Sequence, residues 1–169
     1  MSAIVDFYLE KAPDSEGRFL RDLWSWPDRD LEEVHDFIQW LFPLPEPSQF
    51  NPDAPLLTVE DIAAFDSDVR LRANLSASFG RILSFLGLAM TSHGQVTTGP
   101  NHADRAAEVW IYPNHNWLRI SRILRSLHLL GLDEQAHAFY ACLKEFFTSR
   151  KYPISGETFR YWTAAVGLN

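Results

Sequence analysis

The side chains with the widest chemical reach fall in two places. His35, Gln39, Trp40 and Glu46 lie in or just after one apolar run, and His115, Asn116, Arg119 and Arg122 open a second periodic stretch. Arginine presents a planar fork of N–H donors that matches a carboxylate or a phosphate. The carboxamides and imidazoles beside it can donate and accept. These eight residues are therefore the candidate ligand-binding set, for a small ligand that bears a carboxylate or a phosphate. If the two groups converge, they make one polar pocket. Two other readings stand beside this one. The arginines can pair with acids of the N-terminal half, and His35 and Gln39 can satisfy backbone groups of the following loop.

Other chemistries find less support. The six histidines, at 35, 93, 102, 115, 128 and 137, never form His-x3-His or His-Glu-x-x-His, and Cys142 is alone. That spacing offers no metal motif. There is no Gly-x-Ser-x-Gly elbow. Gly94 and Gly99 frame four residues, but Pro100-Asn101 follow where a phosphate loop needs Lys-Ser/Thr. No catalytic residue, cofactor or metal is expected. Cys142 sits in an apolar helical context and reads as a packed, inert thiol.

The elements that must position the candidates follow from periodicity. From Val34 to Phe42 a helical wheel places Val34, Phe37, Ile38, Trp40, Leu41 and Phe42 over a wide arc and leaves His35, Asp36 and Gln39 on a stripe. That pattern predicts a central helix, buried on several sides, with His35 and Gln39 adjacent at i and i+4. Pro43 stops it, and prolines 43, 45, 47, 52 and 55 make a stiff, extended connection over the core. Asn114 caps the second stretch, whose core stripe is Trp117, Ile120, Ile123, Leu124, Leu127 and Leu130, with Gly131 just beyond the end. Arg119, Arg122 and Arg125 then form a cationic ridge on the other side, and the presence of Leu118 and Leu129 on that ridge predicts that it is partly covered.

Elsewhere, short helices are expected over 3–11 and 18–24. Asp28 or Asp30 would cap the central helix, Thr58 the next, and Ser67 a longer helix ending at Gly87. Residues 91–100 read as a polar surface loop. Helices follow at 101–111, at 133–150 with Asp133 as cap, and from Ser155 onward. The fold class is all-α: one compact domain over 1–169, about seven helices with long Pro-rich connections.

Charge is uneven. Residues 1–68 hold 16 acidic and 4 basic residues, a balance of −12, and residues 69–169 hold 6 and 11, a balance of +5. Net acidity opposes general nucleic-acid binding. No apolar stretch approaches the ~18–20 residues that span a bilayer, and the N-terminus lacks a basic leader. A cytoplasmic chain is expected.

The run His35-Asp36-Phe37-Ile38-Gln39-Trp40-Leu41-Phe42-Pro43, followed by Glu46 and Ser48, resembles the signature of the opioid growth factor receptor conserved domain. A second pattern recurs at His115-Asn116, Leu118-Arg119-Ile120, Arg122-Ile123-Leu124, Ser126-Leu127 and Gly131-Leu132, with Ser121 and Arg125 as conservative departures. Weaker similarity reaches Phe7-Tyr8 and residues 161–166. The resemblance implies a receptor for an enkephalin-type peptide, unlike seven-helix opioid receptors, and linked in animal members to restraint of cell proliferation. It further implies association with the nucleus or nuclear membrane, although no Lys/Arg cluster of the import type is present. The chain is expected to be the bare domain, without a repeat-rich tail. Its alternatives are a protein-interaction scaffold without a ligand pocket and an enzyme of unrecognised type.

Overall fold

The computed structural model describes residues 2–168. The chain divides into two compact units, residues 1–78 and 79–169, with the boundary inside one long helix. Among the described residues there are ten helices and one two-stranded sheet, so the fold is mostly helical but neither all-α nor limited to seven helices.

The first unit is built from short helices: α1 (Ala3–Tyr8), α2 (Leu20–Ser25), α3 (Asp28–Glu33), α4 (Ile38–Leu41) and α5 (Val59–Ser67), then the first part of α6 (Val69–Phe85). Helices this short do not stand by propensity alone and depend on tertiary contacts. Ser2 caps α1 by accepting from Val5 N, and Thr58 and Asp61 form a reciprocal capping box at α5. Asp68, not Ser67, starts α6. Its carboxylate accepts from Arg70 N, whereas Ser67 lies inside α5 and donates to the Ala63 carbonyl.

The continuous helix expected over 34–42 is absent. Helix α3 ends at Val34, which is extended (φ −94°, ψ 135°), and α4 is a single turn starting after Phe37. The apolar density of this segment reflects burial of a broken chain: Phe37, Ile38, Trp40, Leu41 and Phe42 are all core residues. Pro43 ends α4 as expected.

The second unit contains the rest of α6, a hairpin of β1 (Leu88–Met90) and β2 (Val96–Thr98), then α7 (His102–Val109), α8 (His115–Leu129), α9 (Asp133–Thr148) and α10 (Gly156–Ala165). Helices α8, α9 and α10 pack on one another. The strands are antiparallel, with Leu88 opposite Thr98 and Met90 opposite Val96. The segment expected to be a loop is thus partly a ribbon, and residues 91–95 and 99–100 match that expectation. Three-residue strands are too short to show alternation in sequence. Gly87 ends α6 at φ +74°, and a Cβ there would fall 2.9 Å from the Arg105 Cβ. Asn114, Gly131 and Ser155 act as the sequence predicts, but α9 begins after Leu132, with Asp133 as its first helical residue.

Both units use one device at helix ends. The last carbonyls of a helix lack intrahelical donors, and side chains from elsewhere in the same unit reach them. Tyr8 Oη donates to the Leu41 carbonyl, and Asn74 Nδ2 to that of Tyr8. Arg105 Nε serves Phe85, Trp110 Nε1 serves Leu86, and Trp117 Nε1 with Asn114 Nδ2 serves Val109.

Candidate functional site

The first group of candidates surrounds α4. Gln39 is 4% exposed, and its carboxamide is held loosely. Nε2 donates to Ser48 Oγ at 3.4 Å, and Oε1 accepts from Asn51 Nδ2 at 3.5 Å. Both are longer than a well-formed bond. Trp40 is buried with its ring tilted against Phe7 at 5.3 Å, and its Nε1 has no acceptor among the described residues. His35 is exposed in the extended link between α3 and α4, so it is not a helical neighbour of Gln39. Glu46 is exposed in the Pro-rich connection. Of this group, then, Gln39 and Trp40 are placed side by side on one buried turn.

Near them the first unit has a charged network that sequence reasoning did not find. Arg18 Nε donates to buried Asp14 at 2.7 Å, and its Nη1 to Asp36 at 2.8 Å. The guanidinium also lies 5.4 Å from the Trp26 ring. Burial lowers the Arg18 pKa, but the two carboxylates outweigh it, so the net direction is upward. Nothing in a spacing of 4 and 18 residues distinguishes this triad from solvated charges.

The second group lies on the first two turns of α8. Asn114 Oδ1 accepts from Asn116 N at 2.9 Å and fixes the helix start. Asn116 is fully buried, and its Oδ1 accepts from Arg119 Nη1 at 3.3 Å. Arg119 is 8% exposed, while His115 and Arg122 are half-buried. The row of arginines is therefore partly covered, as expected, but unevenly along its length. Each i+3 step turns about 300°, so the row 119, 122, 125 drifts about 60° per step around the helix. It starts in the buried arc and climbs toward the exposed one. Leu118, whose place on the ridge predicted that this face is covered, is 62% exposed and marks the open side.

A further network in the second unit also escaped the sequence. His102 Nδ1 lies 2.9 Å from the Gly87 carbonyl, and its Nε2 lies 2.6 Å from Tyr152 Oη. A carbonyl only accepts, so Nδ1 carries the proton, and in the neutral ring Tyr152 donates to Nε2. Tyr152 stacks on Trp110 and meets Phe146 edge-on. Burial raises its pKa, with a contribution from nearby Cys142. The Cys142 thiol is pushed up to about 12, chiefly by burial and then by the Glu145 charge. A thiol held neutral is a poor nucleophile. Among the described residues no group of three His, Cys, Asp or Glu side chains could hold a metal ion. No helix among them is long and apolar enough to cross a membrane.

Comparison with known proteins fits both motif segments. A family described as the opioid growth factor receptor (OGFr) conserved region matches residues 5–167. The opioid growth factor receptor of Homo sapiens is 36% identical over 143 residues, covering 81% of this chain and 21% of the relative. That of Mus musculus is 38% identical over 136 residues, covering 78% and 21%. Opioid growth factor receptor-like protein 1 of Xenopus tropicalis is 33% identical over 132 residues, covering 75% and 25%. The chain thus spans about a fifth to a quarter of the length of these curated relatives. No solved structure matches it. With nearly its whole length matched, the chain belongs to the opioid growth factor receptor conserved-region family.

Proposed function

We propose that this chain is a receptor-type, peptide-binding domain that works as one unit over residues 1–169, in the cytoplasm and without a catalytic step. Its family membership over residues 5–167 carries the reading. The relatives are named as receptors for an opioid growth factor, which favours a peptide ligand over a metabolite or a nucleic acid. The binding residues in this proposal are His35, Gln39, Trp40 and Glu46 in the first unit, and His115, Asn116, Arg119 and Arg122 in the second. Gln39 suits the role because a carboxamide offers the donor and acceptor of a peptide bond, and its present bonds are long. Arg119 suits it because a buried fork beside Asn116 is already oriented.

The test is a thermal-shift and calorimetric titration of the purified chain with an enkephalin-type peptide. A ligand that binds only the native state stabilises it by about 2.7 kcal/mol at a hundred times its Kd. The expected result is a saturable rise in Tm that shrinks at least ~10-fold in apparent affinity in Gln39→Ala and Arg119→Lys, with both variants still folded. No rise at millimolar peptide, or a rise unchanged in both variants, overturns the reading and its residue assignment respectively.

A further inference from the structure

The Pro-rich connection is a defined object. Leu57 N donates to the Leu44 carbonyl at 3.0 Å, so residues 44–57 leave and return at one point. A compact loop of this size with joined ends is an Ω-loop, a class frequently used for recognition. Inside it, Ala54 N donates to the Asn51 carbonyl at 3.2 Å, closing a turn over Pro52 and Asp53. Phe50 N donates to Ser48 Oγ at 3.2 Å, which directs the chain just before that turn. The loop is tied down by Asn51 Nδ2 on the Asp36 carbonyl at 3.2 Å and by the two long bonds to Gln39. Its end residue Leu57 is buried.

What the loop displays is unusual for a surface. Phe50, beside the turn, is 76% exposed, Leu56 is 43% exposed, and Val59 on the first turn of α5 is 75% exposed. An exposed large side chain is ordinary singly, but here two on the loop and one on the first turn of α5 fall within ten residues of sequence. Acidic residues stand near them in sequence. Asp53 and Glu60 are exposed, three residues after Phe50 and directly after Val59 in sequence. Over residues 30–69 the chain has ten Asp and Glu and not one Lys or Arg. Of these, Glu33, Asp36 and Asp68 pair with Arg29, Arg18 and Arg70, and Asp61 is buried in the α5 cap, so exposed Asp53 and Glu60 are the charges left near the loop to attract cations and repel acidic partners.

We propose that the 44–57 loop with the start of α5 is a docking surface for a basic segment of a partner protein. That segment carries an aliphatic or aromatic anchor that covers Phe50 and Leu56 while its cations meet Asp53 and Glu60. An apolar anchor within a polar, solvent-accessible rim is the usual anatomy of an interface. The proposal goes beyond the ligand-binding reading, and Phe50, Asp53, Leu56 and Glu60 belong to none of the residues assigned there.

The test uses the full chain and three fluorescein-labelled twelve-residue peptides in anisotropy titrations. One repeats Arg-Leu-Gly, one has Glu in place of Arg, and one has Gly in place of Leu. The first is expected to bind at least ~10-fold more tightly than either of the others. Phe50→Ser should weaken it ~10-fold with unchanged Tm, since the ring is mostly exposed. The double variant Asp53→Asn with Glu60→Gln should weaken it ~3-fold and flatten its salt dependence. Glu157→Gln on α10 should leave it unchanged. Equal binding of the Leu-free peptide would reduce the effect to bulk charge and overturn the proposal. So would full affinity in Phe50→Ser, or no binding at all. A concentration-dependent dimer abolished by Phe50→Ser would also overturn it, naming a second copy as the occupant. Gln39 holds this loop and Glu46 lies in it, so the two readings are told apart by Arg119→Lys, which lies outside the loop and should weaken the opioid peptide while leaving the Arg-Leu-Gly peptide unchanged.

Discussion

The segment around α4 and the helix α8 carry similar residues, a tryptophan amid aliphatics with polar groups interspersed, yet they fold by different rules. Helix α8 is a periodic object. Its cap, Asn114, serves Asn116 N, and its buried arc runs unbroken from Asn116 to Leu127. The α4 segment is one turn without a side-chain cap, preceded by extended Val34 and closed by Pro43. Its order comes from outside itself. Tyr8 donates to the Leu41 carbonyl, and Phe7 packs on the Trp40 ring. Apolar density can therefore mean two things: a stripe that makes its own helix, or a link pinned inside a core.

The sharpest test of this difference exchanges the two tryptophans for phenylalanine. Trp117 is buried against Trp162, and its Nε1 donates to the Val109 carbonyl at 2.8 Å. Trp40 has no acceptor for the same group among the described residues. Losing a buried ring and its hydrogen bond costs about 2–4 kcal/mol. Losing a ring whose N–H is already unsatisfied removes a desolvated donor along with the volume, so about 1 kcal/mol is expected. Urea unfolding of Trp117→Phe and Trp40→Phe measures the gap. Equal losses would mean that the Trp40 N–H is satisfied in solution, by water or by a rearranged loop.

The same contrast explains what the sequence made legible. Where a helix is long and its caps are local, pattern was enough. Asn114, Thr58, Gly87, Gly131 and Ser155 stand at the predicted ends, and the whole stripe from Trp117 to Leu130 is buried. Where order depends on distant partners, pattern misled. Nothing near Val34 announces that the chain must extend there to bring Phe37 inward. The hairpin at 88–98 is too short for a period of two to register. Of the candidate site, the adjacency of Gln39 and Trp40 and the Asn116–Arg119 pair follow from spacing. The His102–Tyr152 and Arg18–Asp14–Asp36 networks join residues up to fifty positions apart, and no local signal encodes them.

A second prediction probes how closed the packed side is. Cys142 lies on α9, which packs against α8 and α10, and its thiol is raised from 9.0 to about 12. The unfolded chain then loses this proton near pH 9 while the folded chain keeps it to about 12. A raised folded value contributes stability that is full below pH 9 and falls away as pH rises toward 12. Urea unfolding between pH 8 and 10.5 should show the wild type losing up to about 1.4 kcal/mol per pH unit more than Cys142→Ala. Parallel curves would mean that the thiol is open to solvent and that α9 is less firmly seated.

The smallest effect concerns two helix ends that look alike. Arg150 after α9 and Glu10 after α1 both hold φ near +55°, at 54° and 59°. Each closes the turn with a six-to-one hydrogen bond, Lys151 N to the Phe146 carbonyl and Lys11 N to the Asp6 carbonyl. A side chain in this region is strained by about 1 kcal/mol relative to glycine. Arg150 is exposed, so Arg150→Gly is expected to stabilise by about 0.5–1 kcal/mol. Glu10 differs because its carboxylate accepts from Arg21 N at 2.7 Å and from Arg21 Nη1 at 2.8 Å. Its glycine variant relieves the same strain but removes the acceptor that holds the start of α2. The two contributions are of similar size, so Glu10→Gly should come out near neutral. If it stabilises as much as Arg150→Gly, the link between α1 and α2 contributes nothing, and the first unit depends less on such ties than its short helices imply.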